Sequence, residues 1–360
     1  MKIGKIENKM RKIQNTKHYS KRIGSLPMGC RQCVRGEKLV LFVTGLCPRK
    51  CWYCPLSDKK MFKDVTYANE WPSGSIRTII KEAKLTQAKG AGFTGGDPLC
   101  TLKRTESYIK SLKKKFGKDF HIHLYTSLEL ATRKNLEILN KAGLNEIRFH
   151  PDIENDRHWH KINNAVYFNW DIGVEIPVIP DKEKQTKKLI DYFSGFIDFL
   201  NLNEIETTET NNIHFKKRGL RTKDEISQAI KGSEDMADKL LKYCLNKPFK
   251  VHFCTAKLKD KSQLKNRIKK RAENICTEYD EITKDGLLIR PVVYGNLQKL
   301  KKLADGKKFP YYTDNKNKRI IIEPYCLKEN IEMIKNKGFK PAIVEEYPTW
   351  DSTKIMVDYL

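Results

Sequence analysis

The sequence predicts an α/β protein in which parallel strands and helices form a barrel-like sheet, with a basic N-terminal extension and a small C-terminal α+β domain. Short apolar runs rich in β-branched residues alternate with amphipathic segments at intervals of about 25 residues, a pattern typical of right-handed βαβ units. Polar residues or glycines follow the apolar runs. After residue 256 this alternation stops and a lysine-rich segment begins.

The seven strand-like segments are expected to form the core of the sheet, six or seven strands in all. In chain order they are KLVLFVTGL, GAGFTGGDP, FHIHLYTS, EIRFHPD, DIGVEIPVIP, IDFLNLNEI and FKVHFCTA. The intervening helices are predicted at SIRTIIKEAKLTQAKG, TLKRTESYIKSLKKKF, LELATRKNLEILNKAG, residues 156–168, DKEKQTKKLIDYFSGF and SEDMADKLLKYCLN. This predicts four segments: an extension over 1–37, the barrel over 38–256, a basic connecting helix over 257–276 and an α+β domain over 277–360.

Composition limits the class of protein. The chain has 360 residues, and 70 Lys and Arg against 44 Asp and Glu give a formal net charge of +26. The apolar content is too high for a disordered chain, and no run approaches the roughly 20 apolar residues of a membrane span. With no apolar signal core at the N-terminus, we expect a cytoplasmic protein with no membrane partner. The excess of positive charge has two explanations: the protein binds a polyanion such as RNA, or it has the lysine-rich surface that is common in proteins of thermophiles.

Polar groups recur where the apolar strands end, and in parallel sheets this edge carries the functional site. The strand ends read Thr44-Gly45, Thr94-Gly95-Gly96-Asp97, Tyr125-Thr126-Ser127, His150-Pro151-Asp152, Glu175-Ile176-Pro177 and Asn201-Leu202-Asn203-Glu204. Six polar interruptions on one rim indicate a site there.

Half of the ten cysteines lie between residues 30 and 54, which in a reducing compartment indicates metal or redox chemistry. Cys47, Cys51 and Cys54 form a C-x3-C-x2-C loop directly after the first strand. Three thiolates on one loop suit three irons of a [4Fe–4S] cluster and leave the fourth iron open. A three-thiolate zinc site or inert buried thiols are the alternatives.

This loop resembles the signature of the radical S-adenosylmethionine (SAM) superfamily, C-x3-C-x-Φ-C with Φ aromatic, and Tyr53 stands at Φ. Gly95-Gly96-Asp97-Pro98 is similar to the Gly-Gly-Glu-Pro turn that follows the second strand in that family, with Asp97 in place of Glu. The resemblance covers about residues 38–256. It implies a partial (β/α)6 TIM-like barrel and a radical SAM enzyme.

The resemblance also implies roles for individual residues. Cys47, Cys51 and Cys54 would ligate a [4Fe–4S] cluster whose open iron binds SAM, and a reductant such as ferredoxin or flavodoxin would supply the electron for SAM cleavage. Tyr53 would lie along the adenine, and the turn Gly95–Pro98 would receive the amino group. Further SAM contacts are expected from the later strand ends, at Ser127, His150 and Glu175, although each could equally be an ordinary polar residue of the rim.

Within the superfamily, the stretches YANEWP, GFTGGDPL, FHIHLYTS and EIRFHPDI are similar to those of archaeal proteins related to pyruvate formate-lyase activating enzyme. An activating enzyme is usually shorter, and this chain adds about 100 residues after the barrel. The added part begins with eight Lys or Arg and two acidic residues between Lys257 and Cys276.

A second set of cysteines begins with the C-x2-C pair Cys30 and Cys33, which is half of a tetrahedral thiolate site. Because the first and last elements of a barrel are neighbours, the pair could meet Cys254, with His252 and Cys244 as further candidates. Zinc, an auxiliary Fe–S cluster and free thiols all remain open. His121 and His123 share one face of a strand, where they either serve the site or simply pack.

Three functions remain open from the sequence. The first is a radical SAM enzyme that abstracts hydrogen from RNA or another macromolecule, with the basic segment 257–275 and the C-terminal domain holding phosphates. The second is a radical SAM enzyme acting on a small molecule or, like an activating enzyme, on a protein side chain. The third, disfavoured by the intact glycine turn, is a non-catalytic Fe–S or nucleic-acid-binding protein.

Overall fold

The computed structural model describes residues 11–360, which divide into two compact units. The first runs to Lys84 and resumes from Ala88 to Leu264, and the second comprises Leu85–Gln87 and Lys265–Leu360. The first ten residues of the predicted extension lie outside the described residues. The boundary between the two units, at Leu264, lies inside the segment 257–276 that is predicted as one connecting helix.

The first unit contains eleven strands among the described residues. They are β1 (Gln14–Asn15), β2 (Lys21–Ile23), β3 (Lys38–Thr44), β4 (Tyr67–Ala68), β5 (Trp71–Pro72), β6 (Gly90–Gly95), β7 (His121–Thr126), β8 (Glu146–Phe149), β9 (Asp171–Val178), β10 (Phe199–Glu204) and β11 (Lys250–Cys254). They form one sheet in the order β1-β2-β11-β10-β9-β8-β7-β6-β3-β4-β5. Seven of these strands, β3 and β6 through β11, are adjacent in the sheet, and each pairs in parallel with its neighbours among the seven. This confirms the predicted α/β architecture with seven parallel strands.

Most helices of this unit lie in the connections between the parallel strands, as the alternation predicts, but the first precedes β3 and the last follows β11. They are α1 (Met28–Val34), α2 (Ile76–Leu85), α3 (Leu102–Phe116), α4 (Arg133–Ala142), α5 (Glu183–Phe193), α6 (Asn212–Lys217), α7 (Ser233–Tyr243) and α8 (Ala256–Leu258). Local sequence sets their ends: the Thr132 side chain caps α4 by accepting from the Asn135 N–H, and Gly143 ends it at φ 101°. The helix expected over 156–168 is a 3₁₀ turn at Trp159–Asn164.

The parallel sheet does not close, and short antiparallel strands cover both of its edges. β2 pairs with β11 at one edge and β4 pairs with β3 at the other. An uncovered edge would leave a row of backbone donors and acceptors open to other chains. The segment predicted as a separate extension is therefore part of the sheet over Gln14–Asn15 and Lys21–Ile23.

Alternation along the strands gives the sheet two different faces. In β7, Ile122 and Leu124 are fully buried in the apolar core, whereas His123 points to the opposite face. We call this opposite side the interior face. Helix α1 packs against this face. The Gly29 N–H donates to Glu146 Oε2 at 3.2 Å. A Cβ at Gly29 would lie 2.4 Å from nitrogens of Arg148 and His123, so the helix backbone approaches these side chains closely.

The second unit is a small α+β domain, as the sequence predicts. Its helices are α9 (Lys265–Ile275), α10 (Leu297–Lys307), α11 (Pro324–Glu329) and α12 (Ile331–Asn336). Its strands are β12 (Glu281–Ile282), β13 (Leu288–Tyr294), β14 (Tyr311–Asp314), β15 (Arg319–Ile322), β16 (Lys340–Glu346) and β17 (Lys354–Tyr359). The strands pair antiparallel in the order β14-β15-β13-β16-β17, with β12 beside β13.

The predicted basic helix is not continuous. It is divided into α8, a π-helical turn at Lys259–Leu264 and α9. Ile268, Arg271 and Ala272 of α9 are buried, so part of the segment packs rather than presenting charge on all sides. None of the helices in residues 11–360 is long and apolar enough to cross a membrane.

Candidate active site

The three-cysteine loop leaves the carboxyl end of β3 and folds back on itself. The Gly45 N–H donates to the Lys63 carbonyl at 2.8 Å, and the Phe62 N–H donates to the Gly45 carbonyl at 2.9 Å. A Cβ at Gly45 would lie 1.7 Å from the Lys60 carbonyl oxygen, so only glycine fits this crossing. The loop is thus closed at its base and presents the cysteines between its two ends.

Cys47, Cys51 and Cys54 are free and partly buried. Burial raises the pKa of Cys47 to about 12 and also raises those of Cys51 and Cys54, so these thiols stay protonated unless a cation stabilises the thiolates. Three such thiols on one loop are the donor set of an iron–sulfur cluster. Across residues 11–360, no three His, Cys, Asp or Glu side chains are grouped closely enough to hold a metal ion. The assignment of these cysteines as ligands remains a prediction from the motif.

The Gly95–Pro98 turn packs directly on the chain that enters the cysteine loop. The Gly96 N–H donates to the Thr44 carbonyl at 2.8 Å, and the Asp97 N–H donates to the Leu46 carbonyl at 2.7 Å. A Cβ on Gly96 would lie 2.3 Å from the Leu46 carbonyl oxygen. The two motifs are therefore in contact, and this close approach explains the glycine without any ligand.

The Asp97 carboxylate joins the ends of β6 and β7. It is fully buried and accepts from the Thr126 hydroxyl at 2.8 Å, from the Ser127 N–H at 2.9 Å, from the Ser127 hydroxyl at 2.8 Å and from the Leu99 N–H at 2.9 Å. Two residues predicted to contact SAM, Asp97 and Ser127, thus bind each other. Their contact with the cofactor, like that of Pro98, stays a prediction.

His150 fastens the cysteine loop to the end of β8. Tyr53 Oη lies 2.9 Å from His150 Nε2, and Arg49 Nη1 donates to the His150 carbonyl at 2.6 Å. His150 Nδ1 lies 2.8 Å from the Glu175 carbonyl, which can only accept, so Nδ1 carries the proton. Burial lowers the pKa of His150 to about 4, which leaves the ring neutral at pH 7 and makes Nε2 the acceptor for the Tyr53 hydroxyl. Arg49 also pairs with Asp152 at 3.0 Å.

Glu175 lies at the centre of a polar cluster on the interior face. Its carboxylate accepts from Arg148 Nη1 at 2.8 Å, Asn201 Nδ2 at 2.8 Å and Asn203 Nδ2 at 2.9 Å. These donors hold the pKa of the buried Glu175 carboxyl below its usual range. Glu175 is a residue that the strand-end pattern predicts, whereas Arg148 is a functional candidate that it does not predict. Alternation along β8 was the available signal, since Arg148 stands two residues before His150.

The deeper part of the interior face holds a second ion pair. Arg148 Nη2 lies 2.5 Å from Glu146 Oε1, and His121 Nε2 lies 3.4 Å from Glu146 Oε2. Arg148, His121 and Lys38 hold the pKa of the buried Glu146 carboxyl far below its usual range. Burial keeps His123 neutral by lowering its pKa. His121 and His123 are predicted either to serve the site or to pack within the protein. Their contacts support packing against this ion pair.

The second cysteine set lies on the interior side of the sheet. Cys30 Sγ accepts from Asn201 Nδ2 at 3.3 Å and from Arg148 Nη2 at 3.5 Å, and burial raises its pKa to about 12. Cys254 packs with Val34 of α1 in a small apolar cluster, so α1 does lie beside β11. A metal held by Cys30, Cys33 and Cys254 stays a prediction.

Two grooves of about 280 and 270 Å³ flank the cysteine loop and share Arg49, Glu129 and Asp152. Trp159 and His158, for which no role is predicted from the sequence, line the first groove, and Trp52 and Tyr53 line the second. The strand-end loops therefore leave open space next to the predicted cofactor residues.

Comparisons with known proteins agree with this geometry. The family model described as Radical SAM superfamily matches residues 41–172, and a domain of unknown function (DUF8061) matches residues 286–357. A Methanocaldococcus jannaschii protein with the provisional name glycyl-radical enzyme activating enzyme MJ0021 is 40% identical over 356 residues, 94% of each chain.

Solved structures give weaker likenesses. Streptococcus suis SuiB bound to S-adenosylmethionine is 14% identical, with a TM-score of 0.42 over 61% of this chain and 50% of that chain. Escherichia coli coproporphyrinogen III oxidase (HemN) is 12% identical, with a TM-score of 0.38 over 61% of this chain and 56% of that chain. The chain spans about half the length of these structures.

Proposed function

The chain belongs to the radical SAM superfamily, and we propose that it is an activating-type enzyme that removes a hydrogen atom from a glycine of a partner polypeptide. The observation that supports the polypeptide substrate is the 40% identity to the M. jannaschii protein over 94% of both chains, because the match includes the second unit as well as the barrel. The name of that relative places a glycyl-radical enzyme as its substrate. This favours the alternative in which the substrate is a protein, as for an activating enzyme, over RNA.

The cofactors of this radical SAM enzyme are a [4Fe–4S] cluster and SAM. When bound, they supply a carbon radical, made by one-electron cleavage of SAM, that takes a hydrogen atom from the substrate. Cys47, Cys51 and Cys54 would hold the iron. Tyr53 and Arg49 keep their loop against β8 through His150, and Gly96 keeps it against the end of β6.

An acidic one-electron donor such as ferredoxin or flavodoxin fits the surface next to the loop. Phe215 of α6 packs on the Trp52 ring at 5.3 Å, and Arg218 lies over the same ring at 4.2 Å. Lys216, Lys217 and Arg218 are exposed beside this contact. A positive surface this near the cysteines favours approach of a negatively charged partner.

The proposal is tested by activation of a glycyl-radical enzyme from the same organism. Purified holoenzyme, SAM and dithionite are mixed anaerobically with that enzyme, and the glycyl radical is measured by electron paramagnetic resonance. We expect a radical signal together with 5′-deoxyadenosine. Formation of 5′-deoxyadenosine without a radical on any glycyl-radical enzyme, but with a missing modification in the RNA of a deletion strain, would replace this proposal with the RNA function.

A further inference from the structure

We propose that Asn201 and His252 form a binding site for a neutral peptide amide on the interior face of the barrel, and that this site positions the substrate segment for hydrogen abstraction. The inference rests on the proposed function, because it assigns a place to the polypeptide. The two residues are direct neighbours in the parallel pairing of β10 and β11. They are 2% and 1% exposed, respectively.

Both side chains carry buried polar atoms without a partner. Asn201 Oδ1 and both ring nitrogens of His252 are buried and have no hydrogen-bond partner within the described residues. Leaving a buried polar group unpaired costs about 1–3 kcal/mol. Three such atoms on two adjacent residues therefore indicate a ligand that pairs with them.

The orientation of Asn201 is fixed by its neighbours. Its Nδ2 donates to Glu175 Oε2 at 2.8 Å and to Cys30 Sγ at 3.3 Å. Rotating the amide by half a turn would place Oδ1 against the carboxylate, which cannot donate, so the oxygen is the unpaired atom. Asn201 thus offers one acceptor to the ligand.

His252 offers one donor and one acceptor. The ring is 1% exposed and neither nitrogen has a hydrogen-bond partner within the described residues, so an imidazolium there would be a buried charge without a partner. The ring is therefore neutral, and only one of its nitrogens carries a proton. Together the two residues present acceptors for an N–H group and a donor for a carbonyl group. A secondary amide has this combination.

The buried charges around the site are paired. Arg148 contacts both Glu146 and Glu175, Lys38 lies within electrostatic range of Glu146, and Lys259 pairs with Glu206. A further cation, Arg22, lies opposite His252 in the pairing of β2 and β11, but it is only half-buried, so solvent screens its charge. A charged ligand group would leave this buried cluster with an uncompensated charge. The cluster therefore favours a neutral group such as a backbone amide over a carboxylate, an ammonium or a phosphate.

A chain of hydrogen bonds links this site to the cysteine loop. Tyr53 bonds to His150, His150 bonds to the Glu175 carbonyl, and the Glu175 carboxylate bonds to Asn201. A substrate amide held by Asn201 and His252 is thus positioned by the same network that fastens the cysteine loop. In the reaction, the Cα–H bond of the substrate breaks homolytically and the hydrogen atom joins the 5′ carbon of cleaved SAM, while the one-electron donor supplies the electron for that cleavage.

The test uses holoenzyme, SAM, dithionite and a small probe, N-acetylglycine N-methylamide with deuterium at the glycine α-carbon. Deuterium in 5′-deoxyadenosine reports hydrogen abstraction from the probe, and total 5′-deoxyadenosine reports SAM cleavage. Wild-type protein should transfer deuterium with saturation. His252→Phe should raise the half-saturating probe concentration and the calorimetric Kd by about tenfold or more, equivalent to about 1.4 kcal/mol, whereas His252→Gln should stay close to wild type.

Two controls make the test specific. Replacing one amide N–H of the probe by an ester oxygen, at each position in turn, should weaken binding to wild type for one of the two esters. If His252→Phe leaves half-saturation and Kd unchanged, the pair holds only a water molecule and the inference is wrong. If deuterium transfer and total 5′-deoxyadenosine fall in the same proportion with an unchanged Kd, His252 supports the cofactor or the fold instead.

Failure of the proposed function gives a different result. A wild-type enzyme that forms 5′-deoxyadenosine but takes no deuterium at any probe concentration overturns the amide site and leaves the radical SAM activity in place. A wild-type enzyme that forms no 5′-deoxyadenosine overturns the proposed function and the amide site together.

Discussion

The hydroxyl oxygen of Tyr53 lies 2.9 Å from Nε2 of His150, which joins the three-cysteine loop to the end of the strand β8. Because His150 Nδ1 donates to the Glu175 carbonyl, the tyrosine is the donor in this bond. The aromatic residue of the cysteine motif therefore fastens the loop, whatever else it contacts when SAM is bound.

Tyr53→Phe should loosen this fastening. Loss of one partly buried hydrogen bond, with His150 Nε2 left unpaired, is expected to lower the free energy of unfolding by about 1–2 kcal/mol. Chemical denaturation of the cluster-free protein measures the change. Tyr167→Phe is the matched control, because Tyr167 is exposed. Equal stabilities for the two variants would contradict the fastening role.

Asp97→Ala should be more damaging than Tyr53→Phe. It leaves the buried donors of Thr126 and Ser127 without their acceptor and removes the link between β6 and β7. We expect a loss of roughly 2–4 kcal/mol in the free energy of unfolding, and a smaller loss for Asp97→Asn, which keeps one oxygen acceptor. A change below about 0.5 kcal/mol for Asp97→Ala, the range of ordinary surface substitutions, would show that the link carries little stability.

Gly96→Ala should displace the turn from the cysteine loop. The added Cβ would lie 2.3 Å from the Leu46 carbonyl oxygen, so the backbone has to move. We expect less iron bound after anaerobic reconstitution and a lower yield of 5′-deoxyadenosine. Gly195→Ala is the control, since no atom lies within 4 Å of its added Cβ. Full iron content in Gly96→Ala would refute the proposed coupling of the two motifs.

Stability should fall in mild acid because of His150 and His252. Burial lowers the pKa of each to about 4, below the ordinary value of 6.5, so between these values the unfolded chain binds protons that the folded protein does not. Each histidine therefore adds up to about 3 kcal/mol to the free energy of unfolding above about pH 6.5, and this contribution is lost as the pH falls towards 4.

The pH dependence is measured as the free energy of unfolding of cluster-free protein at several pH values. His252→Phe should flatten the profile between pH 4 and 6.5, since one group that takes up a proton on unfolding is removed. His214→Gln, at an exposed position, should leave it unchanged. A profile for His252→Phe as steep as that of wild type would contradict the buried, neutral state of His252.

Sequence patterns located the parallel strands and the residues at their ends because those features are local. Cys47 follows an apolar run, and His150 and Glu175 end strands, so spacing and alternation were sufficient. The contacts among Arg148, Asn201 and Cys30 were out of reach, since they depend on strand register and on α1 packing against the interior face.

The region after the barrel shows the same limit. A segment with eight basic residues predicts one solvated helix. Instead, a π-helical turn divides it, its second half belongs to the C-terminal unit, and Ile268 and Arg271 in that half are buried. Composition reports charge along the chain and does not report which side chains find a packing partner.

We propose that the loop of Cys47, Cys51 and Cys54 carries the cluster that cleaves SAM, and the yield of 5′-deoxyadenosine is the most direct measurement of this role. Wild-type protein and Cys100→Ala, which removes an exposed cysteine outside the motif, are reconstituted anaerobically with iron and sulfide and treated with SAM and dithionite. We predict 5′-deoxyadenosine from both and none from Cys47→Ala. Undiminished 5′-deoxyadenosine from Cys47→Ala would contradict the account.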